Sequence, residues 1–392
     1  MPKKILCTVT NDLNYDQRMI RICTSLAGAG YDVTLVGRVT KDSLPLVERP
    51  FRQLRLKVLF RKGKLFYLEY NLRLLVFLLF HPMDCICCID LDTILPGYWV
   101  SRWKKIPRVY DAHELFCEMQ EVVTRPFIYK IWKAVERHCV PHFRHGYTVN
   151  APIAAEFRKM YGVEYGVIRN LPVLEPEPPV PQPGLSVSET DPPAPAAKAP
   201  PTPDPLTPPP ASQRIILYQG AVNEGRCFET LIPAMTHVDA SLLICGDGNY
   251  TPQAKALVEK FGLAEKVRFK GYVLPEELKK ITRTAWCGIT LFDRRGMSNY
   301  YSLANRFFDY MHAGIPQLAV NYPAYQEINN WRAIAVLIDE PGVRDIADAL
   351  NGLLNNTDLY DTLVDNCKLA RLRYNWQEEE KQLVRFYHQI LG

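Results

Sequence analysis

The residues best placed to do chemistry lie in residues 298–323, SNYYSLANRFFDYMHAGIPQLAVNYP. A hydroxyl-rich loop there feeds a segment with Leu303, Phe307, Phe308 and Met311 at helical spacing. The spacing predicts a helix over 303–312, stopped by Ala313-Gly314 with Pro316 beyond, and then a buried strand over 317–320. The first amides of a helix are unpaired and its dipole is positive there, so the loop is a place to hold an anion. Ser302, Asn305 and Arg306 add side-chain donors, and Arg306 and Asp309 fall on the face left for a cleft. Asp309, one turn on, can accept two hydrogen bonds from a diol such as a ribose. The set suits a nucleoside diphosphate with a sugar at each end. The plain alternative is an amphipathic helix with a surface Asp and Arg.

Further candidates follow strand-like runs. In the first half, residues 4–9 read as a strand, 10–15 as a polar turn containing Asn11 and Asp12, 16–27 as a helix and 31–36 as a second strand. The turn lacks the G-x-G-x-x-G fingerprint, yet it would sit at the carboxyl edge where such sheets bind ligands. A strand over 84–89 ends at Asp90 and Asp92. Another over 108–110 ends at Asp111, His113 and Glu114. Catalytic groups gather at strand ends, although a lone histidine is more often structural.

In the second half, a strand over 214–218 runs into a turn holding Gly220 and Arg226, a strand over 242–245 into Gly246-Asp247-Gly248, and a strand over 267–270 into Gly271-Tyr272. Glycine at these ends lets a ligand approach the backbone. Arg226, at the start of a helix, could bind a diphosphate together with free amides.

The elements that must position these groups form two similar halves. A chain of 392 residues can bury two cores. Residues 1–170 make one α/β unit and 213–372 a second, followed by a closing helix over 373–392. Between them, residues 171–212 hold about half of the 31 prolines and are expected to be an extended or disordered linker. A net charge of +5 calls for no nucleic acid. There is no apolar run of 18 residues, and the N-terminal apolar stretch is too short for a signal peptide. The 11 cysteines have no secreted-domain spacing, and Cys85, Cys87 and Cys88 lack a second ligand pair. They read as reduced thiols of a cytosolic protein rather than a metal site. Residues 49–64 are strongly basic, with Arg49, Arg52, Arg55, Lys57, Arg61, Lys62 and Lys64 interleaved with apolar side chains. They could approach an anionic leaflet. The apolar helix that follows, 65–80, is broken by Glu69, Asn71 and Arg73. It is too short and polar to span a bilayer, and reads as a packed helix.

Taken as a set, the motifs resemble the GT4-type retaining glycosyltransferases of the GT-B fold: two Rossmann-like doubly wound α/β domains facing across a cleft. The features that carry the resemblance are Asn11-Asp12 with Asp16 and Arg18, Asp111-Ala-His113-Glu114, Tyr218-Gln-Gly220 with Arg226, Gly246-Asp-Gly248, the run Asn305 to Pro316, and Asn375-Trp376. The resemblance implies a nucleotide-sugar donor bound as substrate in the C-terminal domain, without a cofactor or metal. Gly220, Arg226, Gly246, Gly248, Tyr272, Ser302, Asn305, Arg306 and Asp309 would serve the donor. It places Asn11, Asp12, Asp16, Arg18, His113 and Glu114 on the acceptor side. His113, Arg226 and Asp309 would be the catalytic set. The acceptor would be a saccharide or lipid-linked saccharide of cell-envelope polysaccharide synthesis, reached from the cytoplasmic side of the membrane. Arg226 takes the place of a diphosphate-binding Lys, and Asp309 that of the second Glu of an E-x7-E motif. The first Glu of that motif falls at Tyr301 and is absent. An epimerase of the same fold, or a non-catalytic nucleotide-sugar-binding scaffold, are the other readings.

Overall fold

The computed structural model describes residues 1–14, 16–41, 43–176 and 214–392. Most of the proline-rich linker, and the expectation made for it, therefore lies outside the described residues. Its first residues, 171–176, are not free chain. Leu171 is fully buried, Pro172 accepts a hydrogen bond from the Trp376 amide, and Glu175 pairs with Lys279 and Arg283.

Seven parallel strands form the N-terminal sheet: β1 (Lys4–Thr8), β2 (Asp32–Val39), β3 (Arg52–Lys57), β4 (Cys85–Ile89), β5 (Arg108–Ala112), β6 (His145–Thr148) and β7 (Gly166–Val167), in the order β3-β2-β1-β4-β5-β6-β7. Six more form the C-terminal sheet: β8 (Ile215–Gln219), β9 (Ser241–Cys245), β10 (Val267–Gly271), β11 (Cys287–Thr290), β12 (Gln317–Val320) and β13 (Ala335–Ile338), in the order β10-β9-β8-β11-β12-β13. The fold is thus two Rossmann-like doubly wound sheets. Strand order reverses between β1 and β4 and between β8 and β11, and ligands of such sheets bind at those carboxyl ends.

Local sequence explains most boundaries. Asp16 caps the helix Gln17–Gly28 by accepting the Met19 amide at 3.0 Å, and Asn150 caps Ala151–Tyr161 by accepting the Ile153 amide at 2.9 Å. Gly314, at φ +74°, ends the helix Asn305–Ala313. That helix starts two residues later than its spacing predicts. Leu303 belongs to the preceding loop, which contains a short helix, Met297–Tyr300, not foreseen from the sequence. The strand of Arg52–Lys57 was also hidden, because an edge strand with alternating basic residues reads as a charged surface.

The N-terminal sheet is buried on both faces. One face packs against the helices Gly63–Phe80 and Ile94–Lys104. The other packs against Gln17–Gly28 and against Trp376, Leu383 and Tyr387 of the final helix, Trp376–Leu391, which crosses back from the C-terminal lobe. Trp376 Nε1 donates to Ser25 Oγ at 2.9 Å. All eleven cysteines are buried and unpaired, including the fully buried strand Cys85–Ile89.

Candidate active site

The two sheets present their carboxyl ends to one another across a cavity of about 540 Å³. From the N-terminal lobe it is lined by Asn11, Asp16, Arg18, His113 and Glu114, and from the C-terminal lobe by Arg226, Ser302, Asn305 and Arg306. Nine expected site residues, drawn from loops far apart in sequence, therefore share one crevice.

The C-terminal wall is cationic. Arg306 is 8 % exposed, and its guanidinium lies 4.7 Å from the ring centre of Tyr218 and 4.8 Å from that of Phe292. It donates to Tyr218 Oη at 3.3 Å. Arg226 stacks on the same Phe292 at 4.3 Å and donates to Asn299 Oδ1 at 3.2 Å. Among the described residues, neither arginine has a carboxylate partner. Burial, and then the charge of Arg306, push the pKa of Arg226 down. Two desolvated cations beside one ring, neither in ion-pair contact with a carboxylate among the described residues, make a site that gains from an anion.

The N-terminal wall is built around His113. Its Nδ1 lies 3.3 Å from Asp90 Oδ2, and its amide donates to Asp90 Oδ1 at 3.0 Å. Nε2 lies 3.3 Å from Asp111 Oδ2, at ion-pair distance but outside hydrogen-bond alignment. Burial opposes the charge, but Asp90 and Asp111 outweigh it and hold the imidazole pKa well above its ordinary value. The two carboxylates thus favour the imidazolium form of His113, which is poorly suited to act as a base. Asp111 is itself gripped by Arg18, at 2.7 Å, and Arg18 also donates to the Ile168 carbonyl at 3.0 Å. Arg18 is 4 % exposed, so it braces the wall. Asp90 is the main residue here to which the sequence assigned no role. Its placement at the end of a strand was the only signal.

Burial, and then the neighbouring Asp90, raise Glu114 to about 7, and its Oε2 accepts from Ser298 Oγ across the cleft at 3.3 Å. Asp92, beside the site, is likewise raised to about 7, and accepts from Thr10 Oγ1 at 2.6 Å.

Several expected residues do not line the cavity. Asp12 is engaged by Ser43, by the Asn14 amide and by Arg55, which fold the following loop over it. Asp309 faces Gln219, whose Nε2 donates to it at 2.9 Å, and burial raises it to about 6. Tyr272 points outward, 69 % exposed. Gly246 and Gly248 support the wall from behind. A side chain on Gly246, at φ +147°, would strike the Gly220 carbonyl, and one on Gly248 would strike the Val222 carbonyl. Gly220 does adjoin the site. A Cβ there would lie 3.2 Å from Arg306 Nη1.

The lobes also meet directly at the cavity rim. Asn170 Nδ2 donates to Asn305 Oδ1 at 2.9 Å, and the capping residue Asn150 donates to the Tyr301 carbonyl at 2.7 Å. Ser302 Oγ is spent on the Asn299 carbonyl at 2.8 Å.

Residues 207–369 match the family model of glycosyl transferases group 1. That match lies within the C-terminal lobe and its approach and covers less than half of the chain. An uncharacterized glycosyltransferase of Methanocaldococcus jannaschii is 24% identical over 180 residues, and that match spans 45% of each chain, less than half the length of the curated relative. Solved structures resemble the whole two-lobed fold. A sucrose-phosphate synthase from Thermosynechococcus elongatus superposes with a TM-score of 0.77 at 18% identity, covering 99% of this chain and 98% of its own. WaaG, a glycosyltransferase involved in lipopolysaccharide biosynthesis, gives 0.70 at 15%, covering 99% and 100%. Anabaena HepE, solved with UDP and glucose, gives 0.72 at 13%, covering 98% and 99%.

Proposed function

We propose that the protein transfers a sugar from a nucleoside-diphosphate sugar to an acceptor hydroxyl, with retention at the anomeric carbon. The observation that carries this reading is the pair Arg226 and Arg306, two partly or fully desolvated cations with no carboxylate in ion-pair contact among the described residues, facing a cleft between two Rossmann-like lobes. Their charge suits a diphosphate leaving group and supplies the electrostatic stabilisation that a metal gives elsewhere, so the reaction is read as metal-independent. Structural likeness to a protein solved with UDP and glucose supports a nucleotide-sugar donor.

In this scheme the bond from the anomeric carbon to the diphosphate oxygen breaks as the acceptor oxygen bonds to that carbon on the same face. The acceptor proton passes to the departing phosphate oxygen. Arg226 and Arg306 hold the developing negative charge. His113, held between Asp90 and Asp111, orients the donor sugar or the acceptor. The second carboxylate of the E-x7-E pattern is represented by Asp309. The position of the first holds Tyr301, whose carbonyl instead ties the lobes together through Asn150. The acceptor is read as a saccharide or lipid-linked saccharide of cell-envelope polysaccharide, met at the cytoplasmic face of a membrane.

A panel of nucleoside-diphosphate sugars, scored by thermal stabilisation and then by donor consumption with and without added acceptor, tests the reading. Stabilisation by at least one donor, with acceptor-dependent release of the nucleoside diphosphate, is expected. Stabilisation without release would leave a binding scaffold, and a change of sugar configuration without acceptor would make the protein an epimerase.

A further inference from the structure

The helix Gly63–Phe80 is apolar on both sides. Phe66, Tyr70, Leu74 and Leu78 are buried against the sheet, as a packed helix requires. On the opposite side Leu65, Leu68, Leu72, Val76 and Phe80 recur at helical spacing and are 54–83 % exposed. Scattered exposed leucines need no explanation, but a continuous stripe along about four helical turns does. Among the described residues no helix is long and apolar enough to cross a membrane, so the stripe does not belong to a spanning segment.

Its surroundings are charged in one sense. The loop that leads into the helix carries Arg61 and Lys62, β3 ends at Lys57, and Lys64 opens the helix. All four are exposed and, among the described residues, none has a carboxylate partner. The one carboxylate on the stripe side, Glu69, is already neutralised. It accepts from the Leu59 and Phe60 amides at 2.8–2.9 Å and from Arg73 Nε at 2.8 Å. Glu69 thereby fastens the basic loop, with exposed Leu59 and Phe60, onto the end of the apolar stripe. Lys64 Nζ sits 4.3 Å from the ring centre of Phe127, which is 62 % exposed and extends the apolar surface onto the helix Pro126–Cys139.

This surface is held in register with the cleft. Tyr70 Oη donates to the Val9 carbonyl at the end of β1, and Asn71 Nδ2 donates to the Asp92 carbonyl at 3.0 Å. The helix begins at the carboxyl edge of the sheet, the edge that forms the cavity.

We propose that the N-terminal lobe docks on an anionic bilayer leaflet, burying the stripe Leu65–Leu68–Leu72–Val76–Phe80 among the acyl chains with Lys57, Arg61, Lys62 and Lys64 among the headgroups. An apolar helix face bordered by cations is the arrangement of an interfacial helix lying in the membrane plane. A second copy of the chain is the less suitable cover, since it would bring the same uncompensated cations toward the first. The sequence expectation of a packed helix holds for the sheet-facing side; the proposal adds a role for the other side. The helix itself enters the bilayer, and binding outlasts salt. The proposal deepens the glycosyltransferase reading, on which it rests, by placing a lipid-linked acceptor at the cleft edge.

The test uses the full chain sedimented with vesicles of phosphatidylcholine, with or without phosphatidylglycerol, at low salt and at about 1 M salt, where screening acts within about 3 Å. Wild type is expected to bind the anionic vesicles at low salt and to retain part of that binding at high salt. The variant L68Q/L72Q/V76Q, altered only at exposed positions, should lose the salt-resistant fraction and bind at least tenfold more weakly. The variant R61Q/K62Q/K64Q should lose about fivefold per charge at low salt. Both should keep the wild-type melting temperature and nucleotide response. Equal vesicle binding by the stripe variant overturns the proposal. So does a wild-type dimer that this variant converts to monomer, which would give the stripe to a second copy. A wild type that binds vesicles but ignores every nucleotide sugar would count against the catalytic reading and leave the docking surface standing.

Discussion

Replacing Arg226 by alanine separates binding from stability, because this arginine is present without a charge partner. Its guanidinium is stacked on Phe292, bonded to Asn299, and disfavoured by burial and by Arg306. The unliganded variant loses one stacking contact and one hydrogen bond, each worth about 1 kcal/mol, and is relieved of like-charge repulsion. Its melting temperature should therefore stay close to that of the wild type. Nucleotide binding should not. A hydrogen bond to a charged group contributes about 1.5–3 kcal/mol, so a nucleoside diphosphate should bind about 10- to 150-fold more weakly. At a ligand concentration of about 100 times the wild-type Kd, linkage gives about 2.7 kcal/mol of stabilisation. A thirtyfold loss would cut that to about 0.9 kcal/mol. Differential scanning fluorimetry across a nucleotide titration reads both quantities. Wild-type nucleotide stabilisation in Arg226→Ala would refute the anion site, and a large fall in the unliganded melting temperature would show that Arg226 is a structural brace.

Two further substitutions probe the walls of the cleft. Asp92 is raised from 3.8 to about 7 by burial, so the stability of its buried neutral form is fully present below about pH 4 and is lost as pH rises through 7. Asp92→Asn should remove that loss. Its stability relative to wild type should rise between pH 4 and 8, by at most about 4 kcal/mol, and a pH-independent difference in urea unfolding would contradict the assignment. Gly246→Ala places a methyl group against the Gly220 carbonyl at φ +147°. It should destabilise the C-terminal lobe by about 1–3 kcal/mol or more and displace the Gly220 turn beside Arg306, and unchanged stability and nucleotide affinity would disprove the supporting role.

Much of the architecture was readable because its signals are local. Apolar strands ending in Asp, His or Gly, and helices with caps such as Asp16 and Asn150, encode their own boundaries. Edge elements were harder to read. Arg52–Lys57 is a strand because β2 offers it a hydrogen-bonding edge, and nothing in RQLRLK requires it. Within the site, His113 and Glu114 were identifiable by residue type and position at a strand end, and Arg226 and Arg306 by position at helix starts. Asp90, Phe292 and Asn170 were not, since each acts through a partner from a distant segment. Asp12 and Asp309 carry promising chemistry, but neighbouring side chains claim their carboxylates.

The sequence by itself determined two α/β halves, a proline-rich join, and a candidate anion-binding set in the second half, because periodicity, capping and glycine chemistry act within a few residues. Only the tertiary structure decided that His113 is clamped between Asp90 and Asp111, that two arginines share one ring with no ion-paired carboxylate among the described residues, and that one side of the helix Gly63–Phe80 is left uncovered. Charge state and exposure depend on what the remainder of the chain brings alongside, and that is set by sheet order and by the meeting of the lobes.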